Sequence, residues 1–253
     1  MKKILIGIVI FLTMVSCDKE AAPLEGQIRF KFTHDWDGIS VGQEDFNAIQ
    51  FTNANGQQTS IERLRYLISK ITLTHEDGVI TVLDGYNLID LENPETLTFT
   101  PSQNIVLGRY TKVSMTFGFN QADNQDGIYP DLNAASWNVP GMLGGGYHFM
   151  QFDGKFINQA DETANFNYHA IRAVDRTDPD NLIFQDTFFE IDLGALNLNN
   201  NTEIEVNMNV AEWFKNPNLW DLNQLSILLM PNFDAQIKIA QNGRSVFTGQ
   251  TND

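Results

Sequence analysis

Periodicity constrains this chain more than any other feature. Short runs alternate apolar and polar residues with a period of two, and turn-forming residues separate them. Ile28-Arg29-Phe30-Lys31-Phe32, Leu67 to Thr74 and Arg109 to Phe119 are the clearest runs. Such alternation puts every second side chain on one face, so each run reads as a half-buried strand. Asp37-Gly38 and Asn53-Ala54-Asn55-Gly56 read as turns, and Glu76-Asp77-Gly78 as a hairpin turn returning through Val79 to Leu83. Ile49 to Phe51, Tyr86 to Leu91, Leu97 to Phe99, Tyr147 to Ile157, Asn165 to Val174, Phe188 to Leu193 and Glu203 to Val210 read as further strands. Gln236 to Ala240 and Arg244 to Phe247 read as a hairpin around Gln241-Asn242-Gly243, after a stretch of mixed period from Ala211 to Leu229. The expected fold is all-β: an antiparallel sandwich, Greek-key or immunoglobulin-like, with long loops.

Nothing covalent supports that core. The only cysteine is Cys17, so stability rests on burial, for which 18 Phe, 4 Trp and 6 Tyr provide ample material. Cys17 has another expected role. Lys2 and Lys3 precede an apolar run, Ile4 to Leu12, that is too short to span a bilayer. Met14-Val15-Ser16-Cys17 then reads as a lipobox. Residues 1–17 are thus expected to be a lipoprotein signal whose cysteine takes the lipid. Residues 18–26 form a polar tether and 27–253 a single domain, lipid-anchored in the bacterial cell envelope. Without Lys2 and Lys3 the charge is −18, from 14 Lys and Arg against 32 Asp and Glu. Such a surface excludes nucleic acid, whose phosphates need cationic partners.

The sequence contains no Gly-x-Ser-x-Gly elbow, phosphate loop or dinucleotide fingerprint, so no enzyme activity is expected. Four histidines are more informative. His148 and His169 lie on two neighbouring expected strands, where their imidazoles could reach one ion, and imidazole suits copper and zinc. His34, with Asp35, Trp36 and Asp37 around it, is a third candidate ligand, whereas His75 in a hairpin turn reads as solvated. Residues 120–146 are rich in Asn, Asp, Gly and Pro and read as a long loop. Within it, Asp123-Asn124-Gln125-Asp126-Gly127 has half the look of a calcium loop but lacks EF-hand spacing and reads as a solvated acidic turn. Trp137 is the large aromatic of that loop, and its simplest role is to pack the loop on the sandwich. A rival reading of the whole is a surface adhesion or glycan-binding module, with loop aromatics as the contact site.

A family resemblance sharpens the metal reading. The chain contains, in order, Ile28-Arg29-Phe30-Lys31-Phe32, Leu64-Arg65-Tyr66-Leu67-Ile68-Ser69-Lys70-Ile71, Gly108-Arg109-Tyr110, and Phe117-Gly118-Phe119-Asn120. Then follow Gly145-Gly146-Tyr147-His148-Phe149-Met150-Gln151-Phe152-Asp153-Gly154, Phe166-Asn167-Tyr168-His169, and Ile237-Lys238-Ile239-Ala240-Gln241-Asn242-Gly243. This order resembles the MbnP-like family, copper-binding proteins named from methanobactin operons. The resemblance implies an extracytoplasmic β-sandwich that binds copper through histidines. In some members it also implies a kynurenine made from a tryptophan by a dihaem cytochrome c peroxidase-like partner. Where those members carry a Trp-rich segment before the Gly-Tyr motif, this chain has Met142-Leu143-Gly144-Gly145-Gly146, and Trp137 is the candidate for oxidation.

Overall fold

The computed structural model describes residues 22–200 and 202–252. The expected signal segment and Cys17 lie outside the described residues. The strands of five or more residues are β1 (Arg29–Trp36), β2 (Arg63–His75), β3 (Tyr86–Asp90), β4 (Gly108–Phe117), β5 (Met150–Ile157), β6 (Thr163–Ala170), β7 (Phe189–Leu198), β8 (Glu203–Asn209) and β9 (Phe247–Asn252). Two helices accompany them, α1 (Pro130–Ala134) and α2 (Phe233–Gly243).

The larger sheet runs β7-β4-β2-β5, with β6 on β5 and β3 on β2, all antiparallel. Strand β2 is long enough to hold two partners along one edge. Its C-terminal part pairs with β4 as far as Phe117↔Ile68, and its N-terminal part pairs with β5 from Met150↔Tyr66. Leu67 sits at the handover: its carbonyl accepts from Gly118 N at 2.8 Å and its N–H donates to Phe149 O at 2.9 Å. The smaller sheet is built on β9-β8-β1. Its β8–β1 pair is parallel, from Glu203↔Arg29 to Asn209↔Asp35, so the all-antiparallel expectation fails at this pair. Parallel neighbours need a long crossover, and here most of the chain intervenes. The two sheets close on an aromatic core, with contacts such as Phe32–Tyr66 and Phe117–Phe247 crossing between them. A single apolar cluster extends from Ile28 to Phe247. The result is the expected sandwich-like all-β body, curled toward a half-barrel.

Two local expectations fail. The segment around Gln236 is helical. Five residues of apparent alternation cannot separate strand from helix. The deciding features are Asn232, whose side chain accepts from Ala235 N as an N-cap, and buried Ala235, Gln236, Ile239, Asn242 and Gly243, which form one helical stripe. The strand expected from Tyr147 begins instead at Met150, after a bend at Phe149. This interruption positions the site. Among the described residues no helix is long and apolar enough to cross a membrane.

Candidate metal centre

Strands β5 and β6 pair from Met150↔Ala170 to Ile157↔Thr163. Phe152, Phe156, Phe166 and Tyr168 face the core. His169, opposite Gln151, therefore points to the other side of the sheet, as does Asp153, opposite Asn167. Uninterrupted alternation from Tyr147 would put His148 on the core face with Met150 and Phe152, away from His169. The bend at Phe149 resets this parity. The His148 and His169 rings meet edge to face, with centroids 5.4 Å apart and planes at 82°.

The long loop covers this outer face. It contains α1 and folds back so that Asn138 bridges to Tyr147. Its acidic turn serves as a brace: Asn124 Oδ1 accepts from Tyr147 N at 2.8 Å, and Asp126 Oδ1 accepts from Gly146 N at 3.3 Å. Gly146 adopts φ +82°, and a Cβ there would lie 2.6 Å from Asn124 Oδ1, so the motif needs glycine at this point. The loop brings Trp137 against His148, with ring centroids 5.7 Å apart. Trp137 is fully buried under the Arg65 guanidinium, 5.0 Å from its ring, and its Nε1 has no hydrogen-bond partner.

The hydrogen bonds orient each imidazole. His148 Nδ1 lies 2.9 Å from the Trp137 carbonyl, which can only accept, so Nδ1 carries the hydrogen and Nε2 keeps its lone pair. Burial pushes His148 down to about 4, so the ring is neutral at physiological pH. His169 Nε2 lies 2.8 Å from Asp153 Oδ1, and His169 Nδ1 is buried with no partner. Burial alone would raise Asp153, but the hydrogen bonds from His169 and Asn167 and the charge of Arg63 outweigh it and hold the carboxyl below its ordinary range. Asp153 is therefore an anion that accepts from His169 Nε2, which turns Nδ1 away from the carboxylate and leaves it buried without a partner. Each ring thus has one nitrogen braced by an oxygen acceptor and the other left without a donor. That is the arrangement of metal-binding histidines and their outer partners.

A third group lies beside them. Met230 Sδ is 3.2 Å from His148 Nε2. His169, Met230, Asn167, Leu229 and Pro231 border a cavity of about 340 Å³ that opens at this point. Gln236, fully buried on α2, holds the two sides together. Its Nε2 donates to His169 O at 2.9 Å and Leu229 O at 3.0 Å, while its Oε1 accepts from Ile171 N at 2.8 Å. Asp153, Met230 and Gln236 are not among the ligands expected from the sequence. Asp153 is legible once the β5–β6 register is known, whereas Met230 and Gln236 come from a stretch without clear period and a misread helix.

The other candidates lie elsewhere. His34 shares its face of β1 with Phe30, Phe32 and Trp36, so period-two packing buries it. Its Nε2 is 3.0 Å from the Tyr66 hydroxyl, and burial pushes it down to about 3. Among the described residues no group of three or more His, Cys, Asp or Glu side chains is placed to hold a metal, so His34 does not complete the histidine pair. His75 is only partly solvated. Its Nδ1 is 2.9 Å from Asp77 Oδ1 and its ring packs on Tyr110.

The family described as MbnP matches residues 25–231 of the chain. The fold is shared with a solved structure, MbnP from Methylosinus trichosporium, at a TM-score of 0.51 and 10% sequence identity, covering 73% of this chain and 76% of that one. No curated protein matches the sequence. With most of its length inside that match, the chain belongs to the MbnP family.

Proposed function

We propose that this protein binds copper without catalysing a reaction, using His148 and His169, at the bacterial cell envelope. One observation carries the reading: two imidazoles with ring centroids 5.4 Å apart each keep one nitrogen without a donor while an oxygen acceptor braces the other. Neutral imidazole suits copper, which heads the affinity order of the divalent ions. The MbnP family's link to methanobactin and copper supports the choice of metal. A copper ion here would be cargo or a stored ligand, held by the two rings while Asp153 and the Trp137 carbonyl keep them oriented. In this reading Cys17 carries the lipid that keeps the protein at its membrane. Trp137, beside His148, is the indole that a dihaem peroxidase-like partner would convert to kynurenine. The glycan-binding alternative needs exposed aromatics on the long loop, whereas Tyr129 is half-buried and Trp137 fully buried.

Copper titration of the purified protein tests the reading. His148→Ala and His169→Ala are expected to lose about 10-fold or more in affinity, since even outer partners of a metal are worth that much. His75→Ala should match the parent. Equal behaviour of all three variants, or no uptake by the parent, overturns the assignment. Membrane fractionation of Cys17→Ser tests the anchor: the variant should be released, and unchanged retention would exclude lipid attachment at this residue.

A further inference from the structure

We propose that Met230 is a third ligand of the same ion and that its thioether makes the site selective for Cu(I); this rests on the copper reading above. The starting observation is a contact between two acceptors. His148 Nε2 has no hydrogen, because that hydrogen is on Nδ1 facing the Trp137 carbonyl. A thioether sulfur has none to give either. The two nevertheless face each other at 3.2 Å, with no hydrogen available between them. His169, whose Nδ1 is buried without a partner, borders the same cavity as Met230. Two imidazoles and one thioether thus lie together: His148 touches Met230 Sδ and packs on His169, and His169 and Met230 border the opening.

The set, two imidazoles and a thioether, contains no anionic donor. The nearest carboxylate, Asp153, is occupied by His169 Nε2, Asn167 Nδ2 and Arg63 Nε. Its charge is balanced by Arg63 and its Oδ1 is directed at His169 Nε2, the nitrogen that bonds to Asp153 rather than the unpartnered Nδ1. Thioether and imidazole ligands without carboxylate favour Cu(I). Burial acts in the same direction. An ion held by neutral groups in an apolar place keeps its whole charge uncompensated, so the singly charged ion is less costly to desolvate. The surroundings are apolar: Met230 packs on a small cluster of Val139, Leu143, Ile171 and Val174. The sulfur is also held in place from behind. Pro231 stiffens the chain on one side, and Gln236 fixes the Leu229 carbonyl on the other.

The experiment compares the parent with Met230→Leu, a swap of similar volume and apolarity that cores tolerate. Cu(I) affinity is measured anaerobically against a chromophoric chelator, and Cu(II) affinity against a competing amino acid. Met230→Leu should lower Cu(I) affinity by about 10-fold or more and leave Cu(II) affinity near the parent value. In the parent, Ag(I), a redox-inert stand-in for Cu(I), should shift the Met230 methyl resonance; this readout does not depend on a variant folding. If Met230→Leu binds Cu(I) like the parent, or Ag(I) leaves that methyl unmoved, while His148→Ala and His169→Ala still lose copper, Met230 is only packing and the proposal falls, with the copper reading intact. A parent that takes up neither Cu(I) nor Cu(II) overturns the copper reading itself.

Discussion

Trp137 and His148 are joined through one oxygen. The Trp137 carbonyl accepts from His148 N at 2.9 Å and lies 2.9 Å from His148 Nδ1, so both its lone pairs serve the same histidine. The backbone of the loop, not its indole, sets the tautomer and direction of the ring. A loop that looks like mere cover is thus part of the site.

This separates two roles of Trp137. In protein made without any oxidising partner, Trp137→Phe should keep copper affinity near the parent value, because the carbonyl remains. Stability should fall by about 1–3 kcal/mol from the smaller ring in a fully buried place, partly offset by removing an Nε1 that has no partner. Chemical denaturation and copper competition on the same sample check this. A large affinity loss with an intact fold would mean that the unmodified indole takes part in binding.

Much of the body was legible because strands facing a core must alternate, and β1, β5, β6 and β8 do so. Strand adjacency pairs His148 with His169 in the sequence, but strict alternation works against that pair. Period two assigns His34 inward and, extended through Phe149, separates His148 from His169; only a bend, which has no periodic signature, brings them together. The parallel β8–β1 pair joins residues far apart in sequence and leaves no local trace. Helix α2 reads as a strand because Ile237 and Ile239 mimic alternation over a window too short to decide, while the cap at Asn232 lies outside that window.

Asp153 is a positioning residue for His169. Asp153→Asn should weaken copper binding by about 10- to 100-fold, the usual effect of losing a carboxylate behind a histidine ligand. Arg63→Gln removes the same ion pair but leaves the Asp153–His169 contact, and should bind copper like the parent. Equal losses in both variants would show that the ion pair, not the bond to the imidazole, matters.

Gln236 links three backbone groups: it is the partner of His169 O and Ile171 N, and it gives Leu229 O a second donor beside Asn232 N. Gln236→Met keeps the volume but abandons all three. Each buried group left unsatisfied costs about 1–3 kcal/mol, so the variant should lose several kcal/mol of stability, far more than the usual surface substitution. Amide hydrogen exchange should show the loosening at Ile171 and along residues 228–231 first. A variant as stable as the parent would mean that water replaces the amide.

Low pH should unfold the protein through its buried histidines. His34 in the folded state titrates at about 3, against 6.5 when exposed, because burial disfavours the charged ring. Between these values the unfolded chain binds more protons than the folded one, so stability rises with pH across the window. His34's contribution is complete above 6.5 and is lost as pH falls toward 3. His148, lowered to about 4 by burial, acts in the same direction. Each group changes stability by at most about 1.4 kcal/mol per pH unit, so lowering the pH from 7.5 to 4.5 should cost the metal-free protein several kcal/mol in urea titrations. His34→Gln keeps a partner for the Tyr66 hydroxyl but cannot titrate, and should remove about half of that loss. If the parent and His34→Gln lose stability equally on acidification, His34 is not the buried base that the fold makes it.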